Sequence, residues 1–396
     1  MLCRYSKQLA LRGHVSGIVV PRGGFNTEDK FLNELRESSE IIETDFIVHS
    51  RKCKKLFQNY DVALALNAWS FVYAITCPAL KQLKMPLGIG FYHNHDYLFP
   101  SWSKCMSGKY LKKLLARIKD TNILFYSEIN RKDYESMSST KCPQSKILPV
   151  AIPDSGPLQI CNIEKSEKII VLSIGRYTSF KQYPFRILDA LDRSNDLAHR
   201  FEFVFYGSGN DEEDLKLKAQ KFTNVTVNGN IDYSSIDQAL QECHFFIGMG
   251  TSLTQAAISG KPCIVAVPPC SADKCTYGFY GKDYKAKFGI GDFDKNHDLI
   301  DIKASFNEIL TMKQEDYEAL CVETRTSALS LTEDTIIPEF IQFVESCAPP
   351  TYALFTDRFL LILFRALEKI LSILSIRKDY WATKLSEKPL HHYDIQ

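Results

Sequence analysis

Two cations follow a strand-like apolar run in SIGRYTSFKQ (173–182): Arg176 directly after Gly175, and Lys181 five residues further on. A guanidinium offers a planar fork of donors and an ammonium a compact point charge. At the carboxyl end of a strand the pair suits a diphosphate. Taken alone, the segment reads more readily as a solvated loop with surface charges. In FVFYGSGNDEEDLKLKA (203–219), Gly207 and Gly209 close a second strand. Such a pair by itself signals only a tight turn. Asp211, Glu212, Glu213 and Asp214 then suit the positive end of a helix dipole and would repel a phosphate. In HFFIGMGTSLTQAAISGKPCIVAV (244–267), a buried strand runs into Gly248 and Gly250 and then a short helix. Small residues let the backbone approach a ligand. The free N–H groups of the helix start face an anion, and Thr251 and Ser252 add hydroxyls. An ordinary strand-to-helix turn is the competing reading. That all three segments come in order, each at a strand's carboxyl end, says more than any one of them.

Positioning these segments requires alternating strands and helices. Apolar runs at 15–20, 61–66, 87–93, 123–127 and 146–152 read as strands in the first half, with helical stretches at 29–37 and 70–83 between them. The second half repeats the scheme. Its strands are predicted at 168–175, 201–207, 224–229, 244–250 and 263–268, with helices at 185–192, 211–221, 234–241 and 252–259. This is the pattern of parallel sheets built from βαβ units, which bind ligands at the carboxyl ends of their strands. The proline, glycine and charge of PDSGPLQICNIEKSEK (153–168) suit a linker. The expected organisation is α/β: two doubly wound Rossmann-like domains at 1–155 and 165–345 facing a cleft, and a helical tail at 346–396. The chain opens inside a helical pattern, KQLALRGH, where a doubly wound domain normally has a strand and a glycine-rich turn first.

Composition narrows the partners. The 396 residues carry a formal net charge of +1 and no basic stripe, which argues against nucleic acid. Twelve cysteines are scattered without paired CxxC motifs, as expected of packed thiols in a reducing compartment. No metal-ligand constellation stands out, so neither a metal nor another cofactor is expected. With no signal peptide and no spanning apolar stretch, a cytoplasmic location is expected.

These residues resemble those of retaining glycosyltransferases of family 4, which have the GT-B fold. Gly175, Arg176 and Lys181 match the family's G-R-x(4)-K loop. Gly207 and Gly209 match its G-x-G, and Gly260, Lys261 and Pro262 match its G-x-P. In the first half, LALRGHVSGIVV, NYDVALAL, GIGFYHNHD, YSE and KILPVAIPD are similar more loosely. The family usually spaces two Glu across the third segment. Gln255 stands at the second position, and the first falls near Ile247 and Gly248, where there is no carboxylate. Some branches of the family carry G-M-G-T-S there.

The resemblance implies sugar transfer from a nucleoside diphosphate to a hydroxyl of a glycan or lipid-linked acceptor, with retention, by a hexosyltransferase-type enzyme. Arg176 and Lys181 would neutralise the departing diphosphate, with the Gly250–Ser252 amides helping and without a divalent ion. Gln255 would hydrogen-bond a ribose hydroxyl, and His93 or His95 would contact the sugar. Cell-surface polysaccharide, lipopolysaccharide or glycolipid synthesis is the corresponding setting. Two alternatives stay open: a sugar-nucleotide epimerase of the same fold, and a non-catalytic relative acting as a partner subunit.

The tail contains RFLLILFRALEKILSILSIRKDYW. Arg358, Arg365, Glu368, Lys369, Ser372 and Ser375 share one helical face, and the remainder is apolar. Such a helix either packs across the domains or lies in a membrane interface, anchored by Arg377, Lys378, Tyr380 and Trp381. The second reading is the preferred one, because 334–347 can supply the crossing helix.

Overall fold

Apolar runs bounded by turn residues become parallel strands throughout the chain. The computed structural model describes residues 2–21, 30–44, 51–92, 105–268, 274–285, 290–294 and 296–373. They divide into two units. One runs through Ala151 and resumes at Ile336; the other holds Ile152–Thr335.

The first unit opens with α1 (Leu2–Leu11), β1 (Ser16–Pro21), α2 (Lys30–Ser38), β2 (Ser39–Thr44) and α3 (Arg51–Phe57). Strand β3 (Ala63–Ala65) follows, then α4 (Ala68–Ile75), α5 (Pro78–Leu83), β4 (Leu87–Phe91) and α6 (Met106–Leu115). The unit continues through β5 (Ile123–Phe125), α7 (Glu128–Ser138) and β6 (Lys146–Ile147). The single helix expected over 70–83 is two helices. Asn67 caps α4 through a reciprocal capping box with Ser70, and Pro78, which has no N–H to donate, starts α5 afresh. Strand β2 was not expected from the sequence.

Strands β1 and β2 form a parallel pair, and β3, β4, β5 and β6 form a separate parallel sheet. A doubly wound sheet places one strand between its second and fourth. Among the described residues β1 and β3 are instead sheet edges, and Val19 on β1 is 40% exposed. The core of the four-stranded sheet includes Phe71, Leu87, Ile89, Phe91, Leu111 and Phe125.

The second unit contains β7 (Ile169–Ile174), α8 (Tyr183–Asp192), α9 (Asn195–Arg200), β8 (Phe201–Tyr206), α10 (Glu212–Ala219), β9 (Val225–Asn228) and α11 (Ile236–Glu242). Then come β10 (Phe245–Gly248), α12 (Gly250–Ile258), β11 (Cys263–Ala266), β12 (Lys274–Phe279), β13 (Ile300–Asp301), α13 (Ile302–Thr311) and α14 (Gln314–Ala328). The seven-stranded sheet has the order β13-β12-β11-β10-β7-β8-β9. Its five central and outer strands from β11 to β9 are parallel; β12 and β13 add antiparallel and were not expected. Phe201, Phe203 and Phe205 alternate inward along β8 and are fully buried. Phe203 meets Phe306 of α13 edge-on. No disulfide joins the described cysteines, most of which are buried.

Helix α15 (Glu333–Ser346) carries the chain back to the first unit. There Phe340 packs edge-on against Tyr5 at 4.8 Å, beside Leu148 and Ala151. The tail is α16 (Phe355–Ile373). It turns Arg358 and Glu368 of its charged stripe inward, against the usual sense of an amphipathic helix. Arg358 is fully buried: its Nε donates to Thr76 Oγ1 at 2.9 Å and an Nη to the Tyr73 carbonyl at 2.8 Å. The guanidinium also stacks 4.6 Å from the Tyr73 ring centroid. Buried Glu368 accepts from the Ser107 backbone N–H at 2.9 Å and its hydroxyl at 2.6 Å. These bonds offset the desolvation that would otherwise hold both charges in water. Ser375, Arg377, Lys378, Tyr380 and Trp381 lie outside the described residues. Arg358→Ala removes both donors and leaves a cavity, so it should lower stability by about 2–4 kcal/mol in chemical denaturation. Leu363→Ala on the exposed side of α16 should change stability by less than about 0.5 kcal/mol.

Candidate anion site at the strand ends

Strands β10, β7 and β8 are parallel neighbours, so their carboxyl ends share one edge of the sheet. The three segments singled out in the sequence meet there. The chain proceeds from β7 outward through β8 and β9, then returns to place β10 on the other side of β7. The edge between β7 and β10 is therefore the topological switch point, where open α/β sheets bind ligands.

Gly175 follows β7 directly, and its N–H donates to the Tyr206 carbonyl at 2.9 Å. Beyond it, the Tyr177 N–H donates to the Ser208 carbonyl at 3.0 Å. Tyr177 is buried, and Tyr183 of α8 lies 3.1 Å from Ser173 Oγ, which fixes both ends of the loop. Arg176 projects to solvent, while Lys181 folds back toward Gly175: a Cβ placed there would be 3.6 Å from Lys181 Nζ. The two cations share the Phe180 ring, with Arg176 Cζ 6.0 Å and Lys181 Nζ 5.8 Å from its centroid. Burial, and then the neighbouring Arg176 charge, bring the Lys181 ammonium down to about 8. Two like charges held this close, with one partly desolvated, are relieved by an anion. The same loop holds a buried hydroxyl, Thr178 Oγ1, with no hydrogen-bond partner. Unsatisfied buried polar atoms are rare and call for an explanation such as a ligand. Sequence reading passed over Thr178 and Phe180; their place between Arg176 and Lys181 was the available signal.

The glycines of the second segment allow a close backbone approach. A Cβ on Gly207 would sit 1.8 Å from the Gly175 carbonyl oxygen, and one on Gly209 would sit 2.1 Å from that of Tyr177. The acidic turn after them starts α10, as expected. Lys216 pairs with Glu212 at 2.7 Å, and Asp211 Oδ2 accepts from Gln182 at 3.4 Å.

In the third segment Gly250 adopts φ +66°, the left-handed region open to glycine. Its amide was expected to face the ligand together with those of Thr251 and Ser252. It instead donates to the Ile290 carbonyl at 2.8 Å, because the 290–291 loop packs against Met249 and Gly250. The amides of Thr251 and Ser252 have no acceptor among the described residues, as the first turn of a helix leaves them. Ser252 Oγ turns back to the Met249 carbonyl at 3.4 Å, and Thr251 is exposed. Buried Gln255 donates its amide to Asp237 of α11 at 3.2 Å, a partner that sequence reading did not find.

Gly260, at φ +78°, ends α12 in a Schellman turn. Its N–H bonds Ala257 and that of Lys261 bonds Ala256. Lys261 is buried, with Nζ donating to the Cys243 carbonyl at 3.0 Å and to Cys161 Sγ at 3.3 Å. It thus neutralises the carboxyl end of α11. Near it, His244 Nδ1 accepts from the Ile170 N–H at 3.0 Å, and burial lowers its pKa. His93 and His95 lie outside the described residues. Among the described residues no set of three His, Cys, Asp or Glu side chains gathers to hold a metal.

Residues 161–274 match the family model described as Glycosyl transferases group 1. That stretch contains all three segments, so the chain carries a group 1 glycosyl transferase region. The whole has the GT-B fold, as its structural relatives show. Anabaena HepE, solved in complex with UDP and glucose, superposes with a TM-score of 0.61 at 14% identity, over 87% of this chain and 95% of that one. A glycosyltransferase from Rickettsia africae gives 0.59 at 14% identity, over 87% and 94%. The lipopolysaccharide outer core galactosyltransferase WaaB gives 0.52 at 12% identity, over 81% and 87%. No curated protein matches the chain in sequence.

Two outcomes test the site. The affinity for a nucleoside diphosphate should be flat from pH 7 toward 8. Above about 8 it should fall as Lys181 loses its proton, by up to tenfold per unit, and Lys181→Gln should abolish that slope in calorimetric titrations. Gly207→Ala must displace the Gly175 carbonyl. It should lower stability by about 2 kcal/mol and weaken diphosphate binding, whereas Gly229→Ala, with nothing within 4 Å of its Cβ, should leave both unchanged.

Proposed function

We propose that the protein is a retaining glycosyltransferase of family 4 type. It transfers a hexosyl group from a nucleoside-diphosphate sugar to a hydroxyl of a glycan or lipid-linked acceptor, in cell-surface polysaccharide, lipopolysaccharide or glycolipid synthesis. The observation that carries this reading is the pairing of Arg176 and Lys181 at the end of β7, beside the start of α12.

The chief barrier in such a transfer is departure of the diphosphate from an oxocarbenium-like centre. Arg176 and Lys181 neutralise the charge that develops on it, and the amides of Thr251 and Ser252 add fixed donors. Preorganised donors of this kind are worth roughly 3–4 kcal/mol each. Charge neutralisation by side chains leaves no step that requires a divalent ion. Gln255 keeps its carbonyl oxygen for a ribose hydroxyl while Asp237 holds its amide. His93 or His95 contacts the sugar.

One observation favours a second reading, a non-catalytic partner subunit. Ile247 and Gly248 stand near where the resembled family usually carries its first carboxylate, and Gln255 stands at the place of the second.

Thermal unfolding with UDP, GDP and ADP, and with their sugars, separates the two. A ligand at 100 times its dissociation constant should add about 2.7 kcal/mol of stability. We expect one nucleotide to raise the midpoint in the wild type and not in Arg176→Ala/Lys181→Ala. Turnover of the matching nucleotide sugar with an acceptor supports transfer, and turnover without one supports an epimerase. If no nucleotide shifts the folded protein, the partner reading replaces the enzyme.

A further inference from the structure

Helix α16 presents an apolar face outward. Phe359, Leu360, Leu363, Leu367 and Ile370 are each 39–51% exposed, a stripe at helical spacing. A soluble protein normally turns such a stripe inward and leaves the charges in water. Here the reverse holds. Arg358 and Glu368 are buried with dedicated hydrogen bonds, and Leu361 between them is buried too. The inverted arrangement leaves the apolar stripe available to a partner.

The charges beside the stripe have one sign. Helix α6 lies against α16, with Ser107 bonded to Glu368 and the Tyr110 ring 5.6 Å from that of Phe364. It carries Lys109, Lys112 and Lys113 and no acidic residue. Lys109 and Lys113 are exposed, and Lys113 Nζ lies 5.9 Å from the Tyr110 ring centroid. The two carboxylates of α16 are engaged: Asp357 by the Tyr110 hydroxyl and the Leu354 N–H, Glu368 by Ser107. The sequence beyond α16 has four cations, Arg377, Lys378, Lys384 and Lys388, against three carboxylates, Asp379, Glu387 and Asp394. A second copy of the chain seated symmetrically on this stripe would bring its own lysines against these, because a two-fold interface pairs each patch with itself. An anionic lipid surface meets both features, taking the apolar side chains into the acyl boundary and the lysines at its headgroups.

We infer that the outward face of α16, flanked by the lysines of α6, docks the protein on an anionic membrane surface, lying on it rather than crossing it. Among the described residues no helix is long and apolar enough to cross. The inference does not rest on the donor-site reading.

Flotation of the full chain with vesicles tests it, using phosphatidylcholine alone or mixed with phosphatidylglycerol. The wild type should float with the mixed vesicles, less with phosphatidylcholine alone and less at high salt. Leu363→Ser/Leu367→Ser should weaken flotation by about tenfold or more, since two apolar side chains no longer enter the lipid. Lys109→Glu/Lys113→Glu should lose the preference for the mixed vesicles. Both variants should keep the wild-type unfolding midpoint and its response to nucleotides. Flotation unchanged in the serine variant would place the contact elsewhere and overturn the proposal. So would absence of flotation in the wild type, with or without a dimer that the serine variant dissociates.

Discussion

The second unit depends on one steric constraint: the loop after β7 lies backbone against backbone on the turn after β8. The gap holds no Cβ at Gly207 or Gly209. Two hydrogen bonds, Gly175 to Tyr206 and Tyr177 to Ser208, continue the sheet's ladder past the last strand residues. The loop is therefore an extension of rigid structure rather than a free connection, and Arg176 and Lys181 inherit that rigidity. Charges held in advance stabilise developing charge without reorganising when the reaction occurs. Bulk at either glycine would displace the cations without touching them.

Most of the parallel framework was legible in the sequence, because each strand is an apolar run bounded by glycine, proline or polar residues. Strands β7, β8, β9, β10 and β11 all fall within their predicted runs. What was not legible depended on neighbours. Strand β2 is SEIIET, whose polar ends look like a loop until β1 pairs with it. Strand β12 joins as an antiparallel edge, where the apolar signal of a doubly buried strand weakens. The site divided in the same way. The order of the three segments was visible, but the bonding of each donor was not. Nothing in GMGTS announces that Ile290, forty residues on, takes the Gly250 amide. Nothing in TQAAISGK pairs Gln255 with Asp237.

The polar groups near the third segment divide into those that build the fold and those left over. Lys261, although in the middle of a resemblance motif, is fully occupied at the end of α11. Gly260 is required by the left-handed turn that ends α12. Once these assignments are made, the groups that take no hydrogen-bond partner in this part of the fold among the described residues are Arg176, Lys181, Thr178 Oγ1 and the amides of Thr251 and Ser252. All belong to the loop after β7 or the turn after β10. A group that satisfies no internal demand while lying at a switch point is better evidence for a site than a motif match.

The same reasoning separates α16 from an ordinary amphipathic helix. Burying Arg358 and Glu368 is unfavourable unless every donor and acceptor finds a partner. Placing leucines in water meanwhile forfeits the stabilisation they would gain inside. Both choices oppose folding of the isolated chain. The pattern alone could not foretell the orientation, since a helix with one charged and one apolar face fits a core from either side. Which face turns in was decided by Thr76, the Tyr73 carbonyl and Ser107, polar groups of α4, its carboxyl end and α6 that give Arg358 and Glu368 the partners their burial requires. The first unit offers α16 a polar seat, and Arg358 and Glu368 occupy it.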